Sequence, residues 1–357
     1  MICHGGDIYG ASRRTGIPEE RIIDFSASVN PLGLPFSAAQ AIREAIGRLY
    51  HYPEPFSDVL TRSVADHLSI DPESVICGNG STELIYLIPR ALKPARVLIP
   101  APTFTEYEKA CSISGAKAVI SLPLQAGRDF DLPLKEFLRH LSGKRACDMA
   151  FLCNPNNPTG RLVTRDEVLL CAAEAQRHRC FLIVDEAFID FCPGESVCLE
   201  VEKNPYLIVL RSMTKFYALA GLRIGYAVLH PSIAERLKAH KEPWTVNSLA
   251  QKAAIAALRD GPFGIASLEA MEREKAYMEA ELAKIGIRFI PSRANYYLLR
   301  LDKAQELRTG LEEKGILVRD CSSFPGLDTT YLRIAVRSRK ENMLLMKEMA
   351  DICARLS

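Results

Sequence analysis

LIVLRSMTKFYALAGLRIGYAVL, residues 207–229, holds two short apolar runs joined by a glycine-punctuated loop with one lysine in it. The runs LIVLR (207–211) and IGYAVL (224–229) are apolar at successive rather than alternate positions, the pattern of strands covered on both faces. The same texture recurs upstream in SVICG (74–78), ARVLIP (95–100), AKAVISL (116–122), MAFLC (149–153) and FLIVDE (181–186). Amphipathic stretches separate several of these runs; TRDEVLLCAAEAQRH (164–178) reads as a helix with Thr164 as its N-cap. Strands alternating with helices predict an α/β fold with a mostly parallel seven-stranded sheet covered on both faces.

Near residue 243 the texture changes. ASLEAMEREKAYMEAELAKIG (266–286) reads as one long amphipathic helix, with Leu268, Met271, Met278, Leu282 and Ile285 near one face and Gly286 as its stop. After it, IRFI, NYYLLRL, GILVRD and YLRIAV read as strands among helical segments, which predicts a smaller α+β domain. The expected division is an N-terminal arm over 1–35, a large domain over 36–245 and a small C-terminal domain over 246–357.

Composition narrows the function by exclusion. The formal charge is only +2, so no basic field favours nucleic acid or an anionic membrane as partner. No apolar run approaches the ~18 residues needed to span a bilayer, and the first residues lack the apolar core of a signal peptide. The 11 cysteines are scattered and include no C-x-x-C pair, which argues against a metal site and for buried, reduced thiols in a cytoplasmic protein.

Ligands of open α/β sheets bind beyond the carboxyl ends of the strands, so the residues just after each apolar run are the candidates. GNGST (78–82) suits a loop opening a helix, where backbone N–H groups and the Ser81 and Thr82 hydroxyls would hold a phosphate. NPNNPTG (154–160) is a rigid polar loop, and DEAFIDF (185–191) puts Asp185 at the end of an apolar strand, where a carboxylate needs a cation opposite it. SMTK (212–215) offers a choice of nucleophile. S-x-x-K also occurs in penicillin-recognising enzymes, but their S-D-N and K-T-G elements are absent here. Lys215, followed by Phe216, Tyr217, Ala218 and Leu219, sits among apolar neighbours that would lower its proton affinity and free its amine to attack a carbonyl. A reactive lysine, a phosphate cradle and a buried carboxylate together suit pyridoxal 5'-phosphate, which has an aldehyde, a phosphate and a ring nitrogen.

The order GNGST, APTFTEY, NPNNPTG, DEAF, SMTK and GLRIGY resembles the fold-type I pyridoxal-phosphate enzymes, in the branch containing histidinol-phosphate aminotransferase. That resemblance implies that Lys215 carries the cofactor, Asp185 pairs with its ring nitrogen, Asn157 bonds its ring hydroxyl and Phe104 stacks on its ring. It further implies that Gly80, Ser81, Ser212 and Arg223 hold the phosphate, with Thr82 in the same loop. Tyr52, in HYPEP, matches a tyrosine that reaches the neighbouring subunit's site, which implies a homodimer.

HGGDI (4–8), DFSASVNPLGLP (24–35), PWTVN (243–247), RANYYLLR (293–300), VRDC (318–321) and LRIAVRS (332–338) are similar to the L-threonine-O-3-phosphate decarboxylases of cobalamin biosynthesis. Phe188 stands where histidinol-phosphate aminotransferases usually carry a tyrosine. The substrate implied is a small phosphorylated amino acid, gripped by Arg319 and Arg333, with His4, Asn30, Asn157 and Arg337 as further candidates. Phosphate and carboxylate both suit guanidinium forks.

Overall fold

The computed structural model describes residues 5–143 and 146–356. Its centre is a seven-stranded sheet of β1 (Val75–Gly78), β2 (Arg96–Ala101), β3 (Ala118–Pro123), β4 (Met149–Cys153), β5 (Phe181–Asp185), β6 (Leu207–Ser212) and β7 (Gly225–Leu229). In space the order is β1-β7-β6-β5-β4-β2-β3; β7 is antiparallel to both neighbours and every other pairing is parallel. Each strand coincides with one of the seven apolar runs to within two residues.

Strand geometry explains why those runs are continuous. Successive side chains point to opposite faces. Ile183, Ile208 and Leu210 pack against helix Gly80–Leu92 and its neighbours, while Leu182, Val184 and Val209 pack against helices Asp58–Leu68 and Arg165–Arg177 on the other side. Thr164 caps Arg165–Arg177 in a reciprocal box with Glu167.

Four short strands make the second sheet, in the order Arg319–Asp320, Tyr331–Ala335, Tyr296–Arg300, Arg288–Phe289, all antiparallel. Helices Ala304–Glu313 and Arg339–Leu356 cover it. Helix Ser248–Leu258 lies beyond the 245/246 boundary drawn from the sequence, yet Ala250, Ala253, Ala254 and Ala257 join the core of the large sheet. The passage between cores falls inside the long helix Gly261–Lys284: Phe263 and Leu268 pack on the first core, Met271, Met278 and Leu282 in the second. The N-terminal segment joins the small domain, because Ile23–Asp24 pairs in parallel with Ile316–Leu317.

Strand register brings the loops together. Ser212 lies opposite Gly225, Gly78 opposite Gly225, and Cys153 opposite Asp185. At Gly225 a Cβ would lie 2.6 Å from the Ser81 nitrogen and 2.7 Å from the Arg211 carbonyl, so only glycine lets this loop close on the strand ends. Gly225→Ala is therefore expected to cost about 1–3 kcal/mol through overpacking. Thermal unfolding should show a lowered midpoint; a midpoint equal to that of the parent would mean the backbone there yields freely.

Candidate active site

A cavity of about 430 Å³ opens between the carboxyl ends of β4–β6 and the small sheet. Lys215 lies at its floor, on the loop after β6, held by its backbone: its carbonyl accepts the Asn30 N–H at 3.0 Å. Burial, then the Arg333 and Arg223 guanidinium groups, lower the Lys215 pKa to about 8, with Asp185 and Asp24 pulling the other way. At neutral pH about a tenth of such amines are free, against fewer than about one in a thousand for an ordinary lysine. The Phe188 ring centroid is 5.9 Å from Nζ.

Asp185 ends β5 and lines the same cavity, only 4% exposed. Burial pushes its carboxyl above the usual carboxylate range; the Tyr107 hydroxyl, the Ala187 N–H and the Lys215 amine oppose that. Tyr107 donates to Oδ2 at 2.6 Å and the Ala187 N–H to Oδ1 at 3.0 Å, so the carboxylate is aimed as well as buried.

Ser81, Thr82, Ser212 and Arg223 gather at one end of the cavity. Ser81 and Thr82 are in the first turn of helix Gly80–Leu92, whose N-cap, Asn79, makes no side-chain bond to it, so its first N–H groups are left for another acceptor. Gly80 has φ +76°, and a Cβ there would come within 2.7 Å of Arg223 Nη2. Phe104 and Asn157 line the middle of the cavity. The small domain supplies the roof. Arg319 and Arg333 are Cα partners on adjacent strands, each 7% exposed. Arg333 donates to Asn157 Oδ1 and to the Ser26 carbonyl at 2.9 Å; Arg319 donates to Ser323 Oγ at 3.2 Å.

Three expected residues lie outside the cavity. Asn30 does not line the cavity: its Nδ2 is spent on the Phe216 carbonyl and Ser267 Oγ, each at 2.7 Å, so it fixes the lysine loop. Arg337 falls beyond the end of strand Tyr331–Ala335, where alternation no longer places it beside Arg333. It pairs instead with Glu341 at 2.7 Å and donates to the Asp24 carbonyl at 3.0 Å. Tyr52 is 86% exposed and lies outside the cavity, its ring 5.7 Å from that of Trp244. His4 lies outside the described residues; Gly5, next to it, lines the cavity.

Several cavity groups were not singled out from the sequence. Tyr107 is three residues after Phe104, and that spacing on a helix start was the available signal. Thr214 bonds Ser212 across 2.7 Å from the turn that follows β6. Ser26, Ala27 and Ser28 enter through a loop folded around Asp24 Oδ1, which accepts the Ser26 N–H at 2.7 Å and the Ser26 hydroxyl at 2.6 Å. The described cysteines are all free thiols, and burial pushes Cys77, Cys153 and Cys171 to about 12, so they are not nucleophiles near neutral pH.

The three parts of pyridoxal phosphate each meet a fitting group: a deprotonatable amine for the aldehyde, a buried carboxylate for the ring nitrogen, and an anion cradle that a side chain at position 80 would fill. That combination fits the class of enzymes that hold pyridoxal phosphate, with Lys215 as the amine that would anchor it. The model for "Aminotransferase class I and II" matches residues 20–348, and the chain belongs to that family, with pyridoxal phosphate as its cofactor. The threonine-phosphate decarboxylase of Salmonella typhimurium is 36% identical over 98% of this chain and 96% of its own. A histidinol-phosphate aminotransferase of Thermoanaerobacter pseudethanolicus is 33% identical over 91% of this chain and 92% of its own. The crystal structure of L-threonine-O-3-phosphate decarboxylase from Porphyromonas gingivalis superimposes with a TM-score of 0.82 at 30% identity, covering 92% of this chain and 99% of that one.

Because Lys215 attacks only as the free amine, its capture of added cofactor should accelerate with pH and level off above about 8. Following absorbance after mixing cofactor-free enzyme with pyridoxal phosphate measures this; a midpoint near the ordinary lysine value would contradict the burial argument. Tyr107→Phe removes one bond to the Asp185 carboxylate and should lower turnover about tenfold while the cofactor stays bound.

Proposed function

We propose that the enzyme decarboxylates L-threonine O-3-phosphate, releasing carbon dioxide and (R)-1-aminopropan-2-yl phosphate, the aminopropanol linker precursor of cobalamin. The observation that carries this is the pair of roof arginines. Arg319 and Arg333 are buried side by side, and no carboxylate among the described residues forms an ion pair with either. Two buried guanidinium groups without counter-ions are costly, and a substrate with one carboxylate and one phosphate offsets both. The likeness to decarboxylases that act on such a compound points the same way.

Bound pyridoxal phosphate supplies an aldehyde for the substrate amine and a ring that takes up the electron pair left at Cα. The chain's residues choose which bond breaks. A grip on the remote phosphate by the roof arginines would fix rotation about Cα, so that binding energy far from the reacting carbon selects the bond to be broken. Asp185 would hold the proton of the cofactor's ring nitrogen. Lys215 Nζ is the group that would return a proton to Cα; a pKa of about 8 suits it to both giving and accepting near neutral pH. Phe188 turns its ring face toward the amine and packs at 4.9 Å against Tyr296.

The working unit in this proposal is a cytoplasmic homodimer in which Tyr52 reaches the neighbouring site. Tyr50 and Tyr52 are 80% and 86% exposed, with Phe36 and Trp244 also exposed, an apolar set that a second copy would cover.

The deciding assay supplies O-phosphothreonine and measures carbon dioxide, alongside O-phosphoserine, and histidinol phosphate with 2-oxoglutarate. Carbon dioxide from O-phosphothreonine with negligible glutamate formation is the expected result. Glutamate formation without carbon dioxide would make the enzyme a histidinol-phosphate-type aminotransferase, and faster release from O-phosphoserine would move the substrate by one methyl group. Lys215→Ala should abolish turnover and leave the cofactor without a borohydride-reducible link. Co-expressing Lys215→Ala with Tyr52→Ala chains tests the dimer: hybrids should recover activity that neither homodimer has.

A further inference from the structure

Beside the phosphate cradle, but outside the cavity, sits a charge pair that the chemistry above does not use. Glu83 is in the first turn of helix Gly80–Leu92, one residue after Thr82. Its Oε2 accepts the Asn79 N–H at 2.5 Å, which ties down the loop that the Asn79 side chain leaves uncapped. Its Oε1 accepts from Lys241 Nζ, which also donates to Thr245 Oγ1 at 2.5 Å. Lys241 is only 4% exposed and Glu83 18%, so solvent screens this pair little.

The position sets two demands against each other. A carboxylate in the first turn stabilises its own helix and here also fixes the Asn79 turn. The same negative charge stands next to Ser81 and Thr82, where the cavity receives the cofactor's phosphate. An uncompensated carboxylate there would repel the dianion through a poorly screened medium. We propose that Lys241 and Glu83 are positioning residues for cofactor binding: Glu83 shapes the cradle, and Lys241 cancels its charge so that the helix end still attracts phosphate. Neither side chain lines the cavity. Lys241 comes from the segment after helix Pro231–Lys238, some 160 residues along the chain, so the pairing exists only in the folded protein. This inference needs the cofactor in the cavity and is independent of the substrate.

The test measures release of pyridoxal phosphate from the holoenzyme, with thermal unfolding recorded for every variant. Lys241→Met uncovers the carboxylate and should weaken cofactor affinity about tenfold or more. Adding Glu83→Gln to Lys241→Met removes that charge and should restore affinity to within about threefold of the parent. Glu83→Gln alone leaves Lys241 unopposed and should hold the cofactor at least as tightly while unfolding at lower temperature. A Lys241→Met enzyme with parental affinity would overturn the proposal. So would a double variant as weak as Lys241→Met, which would show a purely structural loss. If Lys241→Met does not fold, Glu83→Gln decides alone: weaker cofactor binding in that variant refutes charge cancellation.

Discussion

The structure is arranged around one amine buried among cations. Lys215 has Arg333 and Arg223 lowering its proton affinity, and Asp185 only partly opposing them. A charged lysine in that place is expensive, and lowering its pKa is how a protein reduces the cost. The same shift makes the amine a nucleophile and a proton carrier, so stability and chemistry ask for one arrangement. Behind the floor, the other face of the sheet carries a second buried set. Arg211, next to Ser212, bonds Asp190 and lies 3.2 Å from Glu186, which is next to Asp185. Glu186 also accepts from Ser196 Oγ at 2.6 Å and the Val197 N–H at 2.8 Å. The strand ends that present Ser212 and Asp185 to the cavity are thus pinned from beneath by a largely satisfied ionic network.

The roof is held to the floor with comparable redundancy. Phe25 accepts the Ala335 N–H at 2.8 Å through its carbonyl, and five residues later Asn30 bonds the lysine loop, so one short segment spans both domains. On the opposite side, the Tyr296 hydroxyl donates to the Asn156 carbonyl at 2.8 Å, and the Arg293 N–H to the Gly160 carbonyl at 2.8 Å. Arg333 therefore meets Asn157 between two strapped edges. Positioning of this kind, rather than any single contact, fixes where the roof guanidinium stands relative to the cavity floor.

Much of this was legible in the residues. The seven strands were visible because burial on both faces demands uninterrupted apolar runs, and the helix at 165 was announced by its capping box. Lys215, Asp185, Asn157, Phe104, Ser81 and Ser212 were visible because they follow those runs directly, at the strand ends where such sheets bind ligands. What failed was inference from spacing where the element had already ended. Arg337 is a candidate four residues beyond Arg333, but the strand stops at Ala335 and the side chain turns to Glu341. Asn30 was placed in the pocket by its neighbours in sequence, whereas its amide serves the backbone of Phe216.

The sequence by itself determined the layering and the loops, that of Lys215 among them, which close around the cavity, because periodicity and turn chemistry act over a few residues. Only the tertiary structure decided which distant groups face one another: Tyr107 against Asp185, Arg333 against Asn157, Lys241 against Glu83. Those pairings depend on strand register and on how two cores dock. Each is a sum of many weak contacts spread over the whole chain, and no short stretch of residues carries that sum.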